Sequence, residues 1–375
     1  MRNITQKKNR DSNFELLRLV AIFLIICHHL VIKSAQTCGY THEYSFGTDG
    51  VSGLIINSLC VCGVNIFLLI SGWYGIKHIW PQTIRLVIDC FIYSLITNTF
   101  CVFVLGYPFS WEEFLYSCNF LNNWFVAAFI MFLFIVPLIE RAIMNIDSKT
   151  LGYFIILMTL FNVIFGFCFG KLNTNGYNAI NFSYIYLIGR YLKVQSTHPI
   201  YLRYASKGLI LYILCAIPLI VGFIFLSSHT LWTSSIAQKF FGYNNPIVII
   251  SAVALFLPFS VLKFQNKFIN EVAKGVFGIF ILHTTTIFIH YRVNVIGNWY
   301  QQFGYAAILI SSIIIFSICG IIAWLIEYAK NSITSWIVPN YCETNLYKLI
   351  PLLNRIAMQQ GISKMNKYLT SKRKL

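Results

Sequence analysis

Apolar runs long enough to cross a bilayer recur ten times along this chain. They lie at about residues 14–32, 53–73, 84–106, 123–139, 151–170, 177–192, 207–226, 246–262, 275–290 and 305–327. A hydrocarbon core about 30 Å thick needs roughly 17–25 apolar residues in a helix. It offers no water to backbone N–H and C=O groups, so each span must satisfy them internally. These constraints predict an all-α polytopic bundle of about ten transmembrane helices. A soluble globule is excluded by composition: 57% of residues are hydrophobic and 11% charged, where a soluble domain carries about 25% charged. The 17% aromatic content suits interfacial belts of Trp and Tyr. The window at 177–192 is the least regular, being short and opened by Asn178 and Asn181.

Charge sets the orientation. The formal net charge of +16 would point to nucleic acid in a soluble protein. In a membrane protein, Lys and Arg instead gather in cytoplasmic loops. With a cytoplasmic N-terminus and ten spans, 22 Lys and Arg fall inside and only Lys33, Lys171, Lys239 and Arg292 outside, leaving Arg18 and Arg85 within spans. Both termini are therefore expected to be cytoplasmic, and no nucleic-acid partner is expected. The expected organisation is a basic N-terminus over 1–13, a membrane domain over 14–328 and a basic tail over 329–375. The first run is too long for a signal-peptide core and is followed by no small-residue cleavage site, so it reads as the first span. The tail, ending in "SKRKL", suits anionic headgroups.

The first span carries the chemistry. "FELLRLVAIFLIICHHL" (14–30) holds Glu15, Arg18, His28 and His29 in a run otherwise fit for lipid, where ionisable groups are costly. At 100° per residue, Arg18 and His29 lie about 20° apart on one face and about 16 Å apart along the axis, with His28 about 80° away. Glu15 is an i,i+3 neighbour of Arg18 and can pair with it. The span thus has one polar stripe, with a carboxylate and a guanidinium at its inner end and an imidazole at its outer end. Snorkelling of Arg18 and an interfacial His are the bland alternatives for each residue alone.

Arg-x10-His in a first span, preceded by an acid and followed by a span ending in Ser-Gly-Phe, resembles acyltransferase family 3. Here the pattern reads "NFELLRLVAIFLIICHHL" and "GVNIFLLISGWYGIK", with "NNWFVAAFIMFLFIVPLIER" and "FGIFILH" as further points of likeness. Glu15 replaces the family's usual Asp, the glycine after it is lost, Trp73 stands for Phe, and the basic stretch after the second span is reduced to Lys77 and Arg85. The resemblance implies an integral enzyme of the bacterial cytoplasmic membrane. Such an enzyme passes an acyl group, usually acetyl, from cytoplasmic acetyl-CoA to a hydroxyl of a cell-surface or lipid-linked glycan. His29 would then act as general base or acyl relay, a task suited to imidazole. Arg18 would orient the donor as a permanent cation, and Glu15 would hold Arg18. Expected partners are acyl-CoA, the glycan acceptor and the bilayer, with a second copy of the chain left open.

Other positions carry weaker signals. Arg85 and Lys77 are candidate phosphate contacts for CoA, or ordinary inner-side charges. Trp124 is a candidate wall for a sugar ring, or a belt residue. His283, in mid-span, is a candidate contact on the acyl or acceptor path, or a satisfied core histidine. Ser71-Gly72 reads as close packing, since no Gly-x-Ser-x-Gly elbow occurs. No metal is expected, because no His-x-x-x-His or comparable ligand spacing is present. Most of the 11 cysteines lie in apolar runs, with Cys38 and Cys118 the one pair that could meet outside. A polysaccharide flippase or other export carrier is the rival class, and succinyl the rival acyl group. Carriers often show paired, broken repeats, which are not visible here.

Overall fold

The structure is a computed structural model that describes residues 10–35, 48–77, 79–170, 174–227 and 240–337. Among these residues every regular element is helical. By its contacts the chain divides into a large unit, Met1–Trp324, and a C-terminal unit, Leu325–Leu375. Cys38 lies outside the described residues, and so does its pairing with Cys118.

Helices occupy all ten predicted windows, although not as ten uniform spans. Among the described residues seven stretches are long and apolar enough to cross a bilayer: Ser12–Lys33, Gly50–Tyr74, Gln82–Phe103, Trp124–Ile143, Ser148–Cys168, Gly208–Phe225 and Tyr305–Lys330. An eighth is a bent pair, Lys267–Thr284 and Thr286–Phe303, turned by 71° at the break. The windows at 177–192 and 246–262 hold helices of 17 and 16 residues, Ala179–Gln195 and Pro246–Val261. The first only reaches the lower limit of span length and the second falls just short of it, and both bury much of their length against other helices.

The helices are labelled in chain order. We label Ser12–Lys33 α1, Thr48–Cys60 α2, Gly63–Tyr74 α3 and Ile79–Phe103 α4. Trp111–Cys118 is α5, Trp124–Ile143 α6, Ser148–Phe161 α7 and Ala179–Gln195 α8. In chain order the rest are α9 (Pro199–Ala205), α10 (Gly208–Ser227), α11 (Pro246–Val261), α12 (Lys267–Val272), α13 (Val276–Thr284), α14 (Thr286–Phe303) and α15 (Tyr305–Ile337). Helix α1 is the axis. Leu17, Ala21, Ile22, Ile26, Leu30 and Val31 are fully enclosed, and α2, α3, α11 and α13 pack around it.

Polar side chains fix the ends of α1. Asn13 donates to the Phe259 carbonyl (2.7 Å), one of the terminal carbonyls that α11 leaves unpaired. The Tyr74 hydroxyl at the end of α3 donates to Asp11 (2.6 Å). Phe14 packs its ring against Trp73 and Phe256. The first helix is thereby pinned in axial register, which matters because its polar stripe works only at a fixed height.

The Ser-Gly step does the packing work its residue types suggest. A Cβ on Gly72 would overlap the Tyr186 carbonyl oxygen, and one on Gly189 would overlap that of Leu69. Helices α3 and α8 therefore meet backbone to backbone, the close approach that small residues permit between membrane helices. The Ser71 hydroxyl donates to Phe67 one turn back (2.9 Å) rather than to a catalytic partner. Gly72→Val should separate α3 from α8 and lower stability by about 1–3 kcal/mol, as overpacking does. Detergent-solubilised variant and wild type compared by thermal unfolding would show this; an unchanged midpoint would contradict the close-packing role.

Candidate active site

The stripe on α1 stands as its periodicity predicts. Glu15 is buried and accepts from Arg18 (3.0 Å, i,i+3) and from Arg10 (3.4 Å). Arg18 keeps about a third of its side chain accessible (32%), so one carboxylate holds two guanidiniums at the N-terminal end of α1. At the other end, the two adjacent histidines part company. His28 turns to α2, where its Nδ1 meets Asn57 Oδ1 at 2.6 Å inside the core. His29 stays on the stripe and reaches α13, its Nδ1 lying 3.1 Å from His283 Nε2.

The geometry of that imidazole pair dictates its protons. His283 Nδ1 lies 2.7 Å from the Ile279 carbonyl. A carbonyl can only accept, so Nδ1 carries the hydrogen and, in a neutral ring, Nε2 carries the lone pair. His29 Nδ1–H therefore donates to His283 Nε2, and neutral His29 is left with a free lone pair at Nε2. An imidazole oriented through one nitrogen by a second group, with the other nitrogen open, can accept a proton or attack a carbonyl.

A cavity of about 270 Å³ runs along the same face. Arg10, Arg18 and Lys274 line one part of it, and Ile25, Phe125 and Phe280 another. Ile25 lies seven residues beyond Arg18 and four before His29, spacings that keep all three on one side of α1. Phe280 meets His283 edge-on at 5.8 Å between ring centres. The cavity is therefore lined both by cations and by an apolar wall, and Phe280 of that wall borders His283, although neither histidine lines the cavity itself. A second, polar cavity of about 30 Å³, room for one water, lies at the break between α13 and α14. Its lining includes Ser94, Ser117, Asn123, Thr284 and Thr285.

The remaining predicted positions are distributed differently. Trp124 opens α6 and joins an aromatic cluster, with ring centres 4.4 Å from Tyr177 and 5.6 Å from Tyr243, the latter stacked at 21°. Tyr177 is the more accessible ring of this group, at 37%. Arg85 is largely exposed and pairs with Asp89 (3.5 Å); neither it nor Lys77 lines the cavity. Outside the spans, the Tyr107 hydroxyl donates to Glu113 (2.9 Å). Partial burial, reinforced by that carboxylate, raises the phenol above its usual range. Among the described residues, no group of three or more His, Cys, Asp or Glu is placed to hold a metal ion.

Three residues at the site escape a reading of the sequence. Arg10 and Lys274 look like ordinary inner-side charges until the fold brings them beside Arg18. Arg292, counted among outer-loop charges, is in fact 2% exposed on helix α14. Polarity alone could not distinguish it, since "HYRVNVIGNWYQQF" reads as a loop by hydropathy and folds as a helix.

Comparison with known families identifies the chain. A family model described as an acyltransferase domain, that of acyltransferase family 3, matches residues 11–328. The chain belongs to acyltransferase family 3. No curated protein and no solved structure gives a significant match. The matched region of this membrane acyltransferase begins beside the Arg10–Glu15–Arg18 cluster and includes both imidazoles, the cavity and Trp124. Within it the partner of His28 is a structural matter. Asn57→Ala should leave a buried imidazole unpaired and lower stability by about 1–3 kcal/mol. Chemical unfolding in detergent micelles reads this loss, and equal stability of the two proteins would contradict it.

Proposed function

We propose that this acyltransferase moves an acetyl group from cytoplasmic acetyl-CoA to a hydroxyl of a cell-surface or lipid-linked glycan, with His29 Nε2 as the base. The observation that carries the reading is a cavity lined by three cations and by Phe280, the ring that meets His283, which in turn orients His29 and leaves its Nε2 lone pair free. Phosphate and pyrophosphate need cations, and Arg10, Arg18 and Lys274 supply three. The pantetheine arm has about twelve backbone bonds, which at extended-chain geometry span about 14 Å. That is close to the ~16 Å separating Arg18 from His29 along a helix. Phosphates at the cations therefore leave the thioester next to His29.

The roles follow from position. Glu15 holds Arg18 and Arg10 toward the cavity and offsets part of their charge. His283 is a positioning residue: it fixes the His29 tautomer and stabilises the proton that His29 takes up. On the outer side, the Trp124, Tyr177 and Tyr243 cluster offers aromatic surface for a sugar ring. Phosphate contacts pass in this account from Arg85 and Lys77, which lie off the cavity, to Arg10 and Lys274.

Two experiments test the reading. In membranes containing the acceptor, transfer of label from [14C]acetyl-CoA should fall by about 10²–10⁴ in His29→Ala, the contribution of a positioned base. Unchanged transfer by a well-folded variant would remove His29 from the chemistry, and glycan export without label incorporation would favour a carrier. Arg10→Ala with Lys274→Ala should raise KM for acetyl-CoA about tenfold or more, each charge-assisted bond being worth about 1.5–3 kcal/mol. Initial rates across acetyl-CoA concentrations check this, and an unaltered KM would place the phosphates elsewhere.

A further inference from the structure

A buried cation beside the imidazole pair has no part in the chemistry above. Arg292 is 2% exposed, and its Nε and Nη1 find no hydrogen-bond partner among the described residues. A guanidinium cannot shed its proton to escape burial. Leaving it unpaired inside a membrane protein is expensive, and such residues face functional interiors.

Its position follows from the helix break. Helix α14 begins after Thr285, where the chain turns by 71° away from Lys267–Thr284. Side chains on a helix lean toward its N-terminus, so Arg292, two turns into α14, leans back toward the break and His283. Farther along, α14 meets the end of α1, where a Cβ on Gly297 would lie 3.4 Å from the Ser34 carbonyl oxygen. Arg292 and His29 each sit five residues before that contact on their own helices. The Arg292 charge is within electrostatic range of both His29 and His283.

We propose that Arg292 is the oxyanion-binding catalytic residue, its Nε and Nη1 donating to the acyl carbonyl oxygen as negative charge develops there. The proposal rests on His29 acting as the base in acyl transfer. As the acceptor oxygen bonds to the thioester carbon, its proton passes to His29 Nε2 and the carbonyl π pair moves onto oxygen. Collapse of that oxyanion breaks the C–S bond. The electron pair leaves on the CoA sulfur, which takes the proton back from His29. Ester and free CoA result, and both imidazoles return to their starting state. Donors left unpaired at rest and aimed where charge will appear are what electrostatic stabilisation of such an intermediate requires.

The test compares wild type with Arg292→Gln, Arg292→Lys and Arg292→Met, using [14C]acetyl-CoA and membranes that contain the acceptor. Arg292→Gln should lower kcat by about 10²–10³, the usual consequence of losing an oxyanion donor, with KM for acetyl-CoA unchanged. Arg292→Lys should recover part of kcat. Arg292→Met removes the buried charge with little change in volume. It should unfold at the same temperature as wild type or higher, yet be as slow as Arg292→Gln. An active wild type with unimpaired Arg292→Gln would overturn the oxyanion role. So would a loss confined to KM for donor or acceptor, the latter marking a contact to an anionic acceptor. A marked drop in the unfolding temperature of Arg292→Met, with kcat retained, would show Arg292 to be structural. A wild type that transfers no label at all would instead sink the acyl-transfer reading itself.

Discussion

One hydrogen bond joins the first helix to the broken one, and the site is organised around it. His29 Nδ1 and His283 Nε2 lie 3.1 Å apart, with His283 fixed in turn by the Ile279 carbonyl. Each link removes a rotational or tautomeric choice, until one nitrogen, His29 Nε2, is left with a lone pair and no partner within the pair. An imidazole in lipid-like surroundings would otherwise have several equivalent orientations. Everything else has to keep these rings at one height: Asn13 on the Phe259 carbonyl, Tyr74 on Asp11, and the backbone contact of Gly72 with α8.

The membrane turns this geometry into direction. Cations gather at the N-terminal end of α1, where Glu15 shares its carboxylate between Arg10 and Arg18. From there the cavity wall becomes apolar, with Ile25, Phe125 and Phe280. Phosphates are costly to move into such a lining, whereas a thioester arm is not. On the proposed function, this gradient would sort a donor with a charged head and an extended neutral arm, head at the cations and reacting end toward the imidazoles. The break at Thr285 turns α14 by 71°, and its Gly297 meets the end of α1 at Ser34.

Much of this was legible in sequence because it depends on local periodicity. Spacing alone separates His29 from His28 on α1 and pairs Glu15 with Arg18, and the contacts found follow those angles. Ten apolar windows foretell helices in the right places, yet α8 and α11 lie at or just below the shortest length of a span. Hydropathy measures a run's affinity for lipid, and these helices are enclosed by protein instead. What the sequence conceals is non-local. His283 meets His29 across 254 positions. Arg10 and Lys274 converge on Arg18 only after folding, and Arg292 looks like a loop charge because the helix that carries it is polar and buries only a narrow face, with Ile287 and Ile296. Arg85 and Lys77, close in sequence to the second and third spans, do not line the cavity.

The most direct measurement is a structure of the protein with a non-hydrolysable acetyl-CoA analogue. The account predicts phosphates at Arg10, Arg18 and Lys274, the arm lying past Ile25, and the carbonyl carbon within about 3–3.5 Å of His29 Nε2. A carbonyl left at the Arg18 end, a full ~16 Å helix length from His29, would contradict it, as would an analogue bound outside the cavity altogether.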